Sequence, residues 1–329
     1  MTPAPRAGMI PGDMLVAVAS IVGGMIVLMV GAEALVRGAS RLALRLGITP
    51  LVVGLTVVAF GTSTPEMATS VIAQTEGKAD VALGNIVGSN IANVGLILAL
   101  CGLIAPLPVQ AVTVRRDLPA LLVTTGAFVA IFLRGWLGRL EGAILLGALA
   151  VFIVYQVRGS RREPQVVEAE YAEAVEVKGR HWPTWLCALA ILVGLALLAG
   201  GGKLLVDGAV VLARRIGLSE RVIGLTIIAV GTSLPELAAS VVAVLRKEVD
   251  VAVGNVLGSN LFNILGIGGV VAIVAPARPP EAMLALDLPV LVVSAVATSI
   301  FLWTRRSLSR AESVLLLVGY AAYVAAIVA

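Results

Sequence analysis

Long apolar runs, separated by short polar breaks, set the pattern of this chain. Ten can be marked, at about 14–36, 44–74, 80–104, 114–134, 138–157, 184–212, 219–245, 250–275, 283–304 and 310–329. A helix needs about 20 apolar residues to cross a hydrocarbon core of about 30 Å, and each run is near or above that length. Lipid offers the backbone no hydrogen-bond partners, so such runs are expected to be helical. The pattern therefore predicts an all-α integral membrane protein with ten transmembrane helices. One long polar stretch, 158–183, carries five basic residues and five glutamates. It reads as a solvated linker. It divides the chain into a first five-helix repeat, 1–157, and a second, 184–329.

The two halves are copies. At an offset of 170 residues, Gly54-Leu55-Thr56 recurs as Gly224-Leu225-Thr226, Gly61-Thr62-Ser63 as Gly231-Thr232-Ser233, and Pro65-Glu66 as Pro235-Glu236. Ser70 and Asp80 recur as Ser240 and Asp250, Gly84-Asn85 as Gly254-Asn255, Gly88-Ser89-Asn90 as Gly258-Ser259-Asn260, and Asn93 as Asn263. No gap is needed, which marks a tandem duplication. Five helices is an odd number, so the second copy is expected to cross the membrane inverted. Inverted repeats are typical of secondary transporters, whose sites lie at the repeat interface near the bilayer midplane.

Composition narrows the class. Of the 329 residues, 59% are hydrophobic and only 13% charged, and the mean hydropathy is +1.02. Soluble domains carry about 25% charged residues. The net charge of +4 is spread over short loops and gives no nucleic-acid signal. Cys101 and Cys187 sit in or beside apolar runs and read as core thiols, and the lone His181 lies in the polar linker, so zinc chemistry is not expected. The N-terminus has Arg6 as its one basic residue, and its first run is too long for a signal peptide. If both termini are outside, 15 of the 24 Lys and Arg residues fall in inside loops. The bias points to a cytoplasmic 158–183 loop, and the short loops suggest the plasma membrane of a prokaryote.

The candidate chemistry lies where a carboxylate occurs inside an apolar run. Charge at that depth costs about 2.5–3.5 kcal/mol per residue on insertion scales, and this chain bears the cost twice, at Glu66 and Glu236. Thr62, Ser63 and Glu66 share a helical face, as do Thr232, Ser233 and Glu236. Pro65 and Pro235 lack an N–H and crowd the preceding carbonyls, which frees backbone oxygens such as that of Ala59. Ser89 and Asn93 stand one turn apart, as do Ser259 and Asn263. Asn85, Asn90, Asn255 and Asn260 fit ligands and helix-break caps equally well. Every candidate ligand is an oxygen, which suits hard cations such as Na⁺ and Ca²⁺. Two ionised glutamates match one Ca²⁺ or two Na⁺. Asp80 and Asp250 read as favourable charges at helix N-termini. Glu33–Arg37 and Lys203–Asp207 are equivalent i,i+4 pairs, read as mutual neutralisation rather than as gating residues.

Gly-Thr-Ser-Xaa-Pro-Glu followed about 20 residues later by Gly-Asn-Xaa-Xaa-Gly-Ser-Asn-Xaa-Xaa-Asn, in both halves, resembles the α-repeats of the cation/calcium exchanger superfamily, and its prokaryotic sodium/calcium exchangers in particular. The resemblance implies a core of helices two, three, seven and eight, with the long first and sixth helices lying across it. It implies ion ligation by Thr62, Ser63, Glu66, Ser89 and Asn93, by Thr232, Ser233, Glu236 and Ser259, and by the carbonyls of Ala59 and Ala229. Asn263 stands where some members have aspartate, which argues against potassium co-transport. The implied activity is exchange of Na⁺ for Ca²⁺ by alternating access, with no enzymatic step and no cofactor. Proton-coupled or potassium-dependent exchange, and a channel or ion sensor, are the alternatives. Oligomeric state is left open.

Overall fold

In the computed structural model of the chain, residues 11–160, 182–217 and 229–328 are described. The regular elements among the described residues are helices apart from two short strands. In chain order the helices are α1 (Pro11–Leu46), α2 (Pro50–Thr62) and α3 (Thr64–Thr75), α4 (Ala79–Ile104) and α5 (Thr113–Leu133), and α6 (Arg139–Ser160). The second half contains α7 (Thr184–Arg215), α8 (Ala229–Thr232), α9 (Leu234–Leu245), α10 (Val249–Val274) and α11 (Met283–Arg305), and α12 (Arg310–Val328). Among the described residues eight helices are long and apolar enough to span a membrane, and α2 with α3 makes a ninth if the bent pair counts as one span. The remaining expected span is the seventh run. Its residues 219–228, including the Gly224-Leu225-Thr226 copy, lie outside the described residues, as do 161–181 of the linker and His181.

One boundary differs from expectation. The hydropathy pattern ends the first helix near residue 36 and starts the second run at 44, but α1 continues to Leu46. The chain then turns at Gly47, which has a left-handed φ of 60°. The extension is amphipathic. Arg37, Arg41 and Arg45 recur at four-residue spacing along one side, while Val36, Ala39 and Ala43 are buried on the other. Averaged hydropathy falls there although the buried face continues.

The equivalent helices α1 and α7 pack against each other along much of their length. Gly24, Gly31 and Gly38 recur as Gly194, Gly201 and Gly208. The contacts run in opposite directions along the two helices: Gly24 lies beside Gly201 and Leu205, whereas Gly38 lies beside Cys187 and Ile191. The pair is therefore antiparallel, as inverted repeats require. The close approach leaves no room for a side chain. A Cβ at Gly31 would lie 2.9 Å from the Gly194 carbonyl, and one at Gly194 would lie 2.6 Å from the Leu35 nitrogen. Small residues let helix backbones approach in this way within lipid.

α4 and α10 form the centre. Of the most apolar stretch of each, 72% and 89% is buried, against at most 33% for the other six unbroken spanning helices. π-helical turns recur at equivalent places, Asn93–Leu98 in α4 and Asn263–Ile267 in α10. Thr113–Asp117 and Met283–Asp287 repeat the feature at the starts of α5 and α11. The loops also pair across the halves. β1 (Leu107–Pro108) runs antiparallel to β2 (Ser307–Leu308), with Leu107 opposite Leu308. The equivalent loops meet where Leu137 bridges Ala277. Cys101 and Cys187 are both free and buried, in keeping with core thiols.

Candidate functional site

Both halves break a helix at the same word of sequence. α2 stops at Thr62, Ser63 takes φ −81° and ψ 6°, and α3 starts with Thr64-Pro65, bent 44° from α2. At Ser233 the angles are −91° and 7°, and α9 starts with Leu234-Pro235. Proline is well placed in the first turn of a helix, where its missing N–H has no partner to lose. Glu66 and Glu236 fall in the first turns of α3 and α9, where the positive end of the helix dipole favours a carboxylate.

The two breaks face each other. Ser63 Oγ donates to Glu236 Oε1 at 2.9 Å, and Ser233 Oγ donates to Glu66 Oε1 at 3.0 Å. Each carboxylate is thus held by the hydroxyl at the other half's break. Both glutamates are 1% exposed, and like charges brought to one buried locus disfavour each other. The second oxygen of each, Oε2, is buried and accepts no hydrogen bond.

The central helices add further oxygens. α4 packs against α3 and α8, and α10 packs against α2 and α9. Ser89, Asn93, Ser259 and Asn263 are all buried. Asn93 Nδ2 donates to Asn260 Oδ1 across the repeats at 3.0 Å. Asn93 Oδ1, Ser259 Oγ and both amide atoms of Asn263 are buried without a hydrogen-bond partner. A buried polar atom left unpaired costs about 1–3 kcal/mol, so several on the same core helices demand a physical reason. Coordination of a dehydrated cation is one that uses oxygens and tolerates carboxylate repulsion.

Thr62 is buried and its hydroxyl lies 3.1 Å from the Val58 carbonyl, 3.4 Å from that of Ala59 and 3.2 Å from Asn255 Oδ1. Its single hydrogen serves one of these at a time. The Ala59 carbonyl also accepts the Ser63 N–H at 3.0 Å. In the second half the Ser233 N–H donates to the Val230 carbonyl at 3.1 Å. Ala229 heads α8, and Thr232, which ends it, is half-buried.

Asn85 and Asn255 brace the breaks. Asn85 Nδ2 donates to the Glu66 carbonyl at 3.1 Å and to Ser70 Oγ at 2.9 Å. Asn255 Nδ2 repeats both bonds, to the Glu236 carbonyl at 3.4 Å and to Ser240 Oγ at 2.9 Å. Their side chains fix the backbone that carries each glutamate. Ser70 and Ser240 were visible in the sequence only as a repeated pair, with no role attached. Two further acidic residues escaped the sequence reading. Asp117 is buried and accepts from Gln156 Nε2 at 2.5 Å, and its equivalent Asp287 accepts from the Tyr323 hydroxyl at 3.0 Å. Their shared offset of 170 was the signal that would have found them. Asp250 is buried and accepts from Gln110 at 2.7 Å, while Asp80 is exposed. Both lie in a first helical turn, as expected.

Known proteins are similar to this chain over most of its length. Residues 16–158 and 186–329 match the family described as sodium/calcium exchanger protein. CaxA of Alkalimonas amylolytica is 39% identical over 94% of this chain and 98% of its own length. The sodium/calcium exchanger MaX1 of Methanosarcina acetivorans is 29% identical over 91% of this chain and 95% of its own. The solved structure of the sodium-calcium exchanger NCX_Mj, soaked with Na⁺ and Sr²⁺, superposes with a TM-score of 0.82 at 28% identity, covering 95% of this chain and 98% of that one.

Proposed function

The chain belongs to the sodium/calcium exchanger protein family, and on that premise we propose that it exchanges Na⁺ for Ca²⁺ across the plasma membrane by alternating access. The reciprocal bonds from Ser63 to Glu236 and from Ser233 to Glu66 are the observation that carries this reading. They bring one carboxylate from each inverted half to a common buried locus, with a second oxygen of each left for an ion.

Ion ligation is assigned to Glu66, Glu236, Thr62, Thr232, Ser63, Ser233, Ser89, Ser259, Asn93 and Asn263, with the carbonyls of Ala59 and Ala229. Glu66 and Glu236 supply the formal charge. Ca²⁺ and Na⁺ compete for them, because one charge set does not neutralise a full load of both. That competition couples the two fluxes. Asn85 and Asn255 hold the two glutamates in place rather than binding the cargo. Transport is then a binding and conformational cycle, with no bond made or broken. The 158–183 linker divides the two repeats and lies in the cytoplasm, with both termini outside, as the distribution of Lys and Arg favours.

Purified protein in liposomes, given Na⁺, K⁺ and H⁺ gradients one at a time, tests the coupling ion. An outward Na⁺ gradient should drive saturable ⁴⁵Ca²⁺ uptake, and K⁺ and H⁺ gradients should not. Uptake driven by a pH gradient without Na⁺ would move the assignment to proton-coupled exchange. Flux that rises linearly without a counter-ion would indicate a channel.

A further inference from the structure

We propose that Glu33–Arg246 and Lys203–Glu76 are alternate ion pairs, each closing one face of the protein in turn, so that these four residues set which side the ion site faces. The inference rests on the alternating-access reading above, and it takes α1 and α7, packed against each other as one pair, as the unit that moves across the core.

The sequence carries the first part of the argument. Glu33 and Lys203 are equivalent positions on α1 and α7, and Glu76 and Arg246 are equivalent positions just after α3 and α9. The charges are exchanged between the repeats. Acid on the moving helix faces base on the core in one case, and base faces acid in the other. Attraction is preserved while polarity is reversed at both positions.

The structure shows one of these pairs made. Arg246 Nε donates to Glu33 Oε2 at 2.8 Å, and its Nη2 lies against Oε1. The other pair is not made. Lys203 bonds Asp207 within its own helix at 2.8 Å, and Glu76 takes Lys78 at 2.7 Å. Packing follows the same asymmetry: α1 lies closely along α9, whereas its counterpart α7 has no comparable contact with α3. The core helix end at Arg246 is therefore joined to α1, whereas the one at Glu76 is not joined to α7.

The local partners suit an exchange of pairs. Arg37 also bridges Glu33, so Glu33 keeps a counter-charge when Arg246 leaves. Asp207 and Lys78 do the same for Lys203 and Glu76. Position 76 or 246 is the last before a left-handed turn, Gly77 at φ 75° or Lys247 at φ 65°. Both residues are thus fixed at the ends of core helices. Because α1 and α7 are packed backbone to backbone at Gly31 and Gly194, they shift together. A slide of that unit away from α9 toward α3 breaks the first pair and brings Lys203 to Glu76. Exposed ion pairs are weak, so losing one should shift the balance between the two states by about two- to fivefold, enough to bias the cycle without locking it.

Cysteine crosslinking tests this in the full-length protein, with Cys101→Ala and Cys187→Ala as the parent. Glu33→Cys with Arg246→Cys, and separately Glu76→Cys with Lys203→Cys, are oxidised with copper–phenanthroline in membranes. Both pairs should crosslink within one chain, and each crosslink should stop exchange until reductant is added. Ion conditions that raise the yield of one should lower the other. Glu76→Lys should raise the 33–246 yield about two- to fivefold, and adding Lys203→Glu should reverse that. Failure of the 76–203 pair to crosslink under any ion condition, in a parent that exchanges normally, overturns the proposal and leaves the ion assignment intact. Crosslinking of both pairs in a parent that moves Ca²⁺ without Na⁺ supports the alternate pairs and defeats the ion assignment.

Discussion

Glu66→Gln and Glu236→Gln should each cut Na⁺-driven ⁴⁵Ca²⁺ uptake by at least about 100-fold. The reason is charge, since glutamine keeps the shape of the side chain and can still accept from Ser233 or Ser63. A buried Ca²⁺ facing one carboxylate instead of two loses a compensating charge where water cannot replace it. Removing one partner from a buried charge pair costs about 3–5 kcal/mol, which is roughly a 150- to 4,000-fold loss of affinity. Two ionised carboxylates at one buried locus repel each other when no cation neutralises them, so the same variants should raise thermal stability in ion-free detergent while losing stabilisation by added Ca²⁺. Uptake assays and melting curves with and without Ca²⁺ measure both effects. Wild-type uptake in either variant would remove its glutamate from the site.

The second large effect is expected at a residue with no side chain. A Cβ at Gly258 would lie 2.6 Å from the Leu55 carbonyl, 2.7 Å from the Leu55 Cα and 2.8 Å from the Ala59 Cβ. Two of those atoms are backbone and cannot rotate away, so Gly258→Val must push α2 off α10. Overpacking of a tight core costs about 1–3 kcal/mol, occasionally more. It also displaces Ala59 and Thr62 from the site. The variant should melt several degrees lower and bind Ca²⁺ at least tenfold more weakly, even in the fraction that remains folded. A Gly258→Val protein with unchanged melting and unchanged Ca²⁺ affinity would mean that α2 and α10 are not held as described.

The parts of this architecture that depend on local chemistry were legible in the chain. Apolar run lengths located the helices, and the offset of 170 aligned Glu66 with Glu236 and Asn93 with Asn263. Pro65 and Pro235 marked the breaks correctly, because the loss of an N–H is a property of the residue itself. What could not be read was pairing between halves. Nothing along the chain says that Ser63 bonds the distant glutamate rather than Glu66, since that follows from how two inverted units are docked. Asn85 and Asn255 were ambiguous for the same reason, and only packing shows that their amides are spent on the Glu66 and Glu236 carbonyls. Glu33 pairs with Arg37 as its spacing predicts, but it has a second partner that the spacing does not reveal. Its contact with Arg246 is tertiary and invisible to a helical-spacing argument. The end of α1 was misplaced because a hydropathy average cannot separate a buried alanine face from the arginines on the opposite side.

The most direct measurement is the position of a bound divalent ion. Crystals soaked with Sr²⁺ and recorded for anomalous scattering should show an ion between the two helix breaks. It should lie within about 2.3–2.7 Å of at least one carboxylate oxygen from both Glu66 and Glu236, as oxygen coordination of a calcium-like ion requires. An ion bound elsewhere, or held by one half alone, would contradict the account.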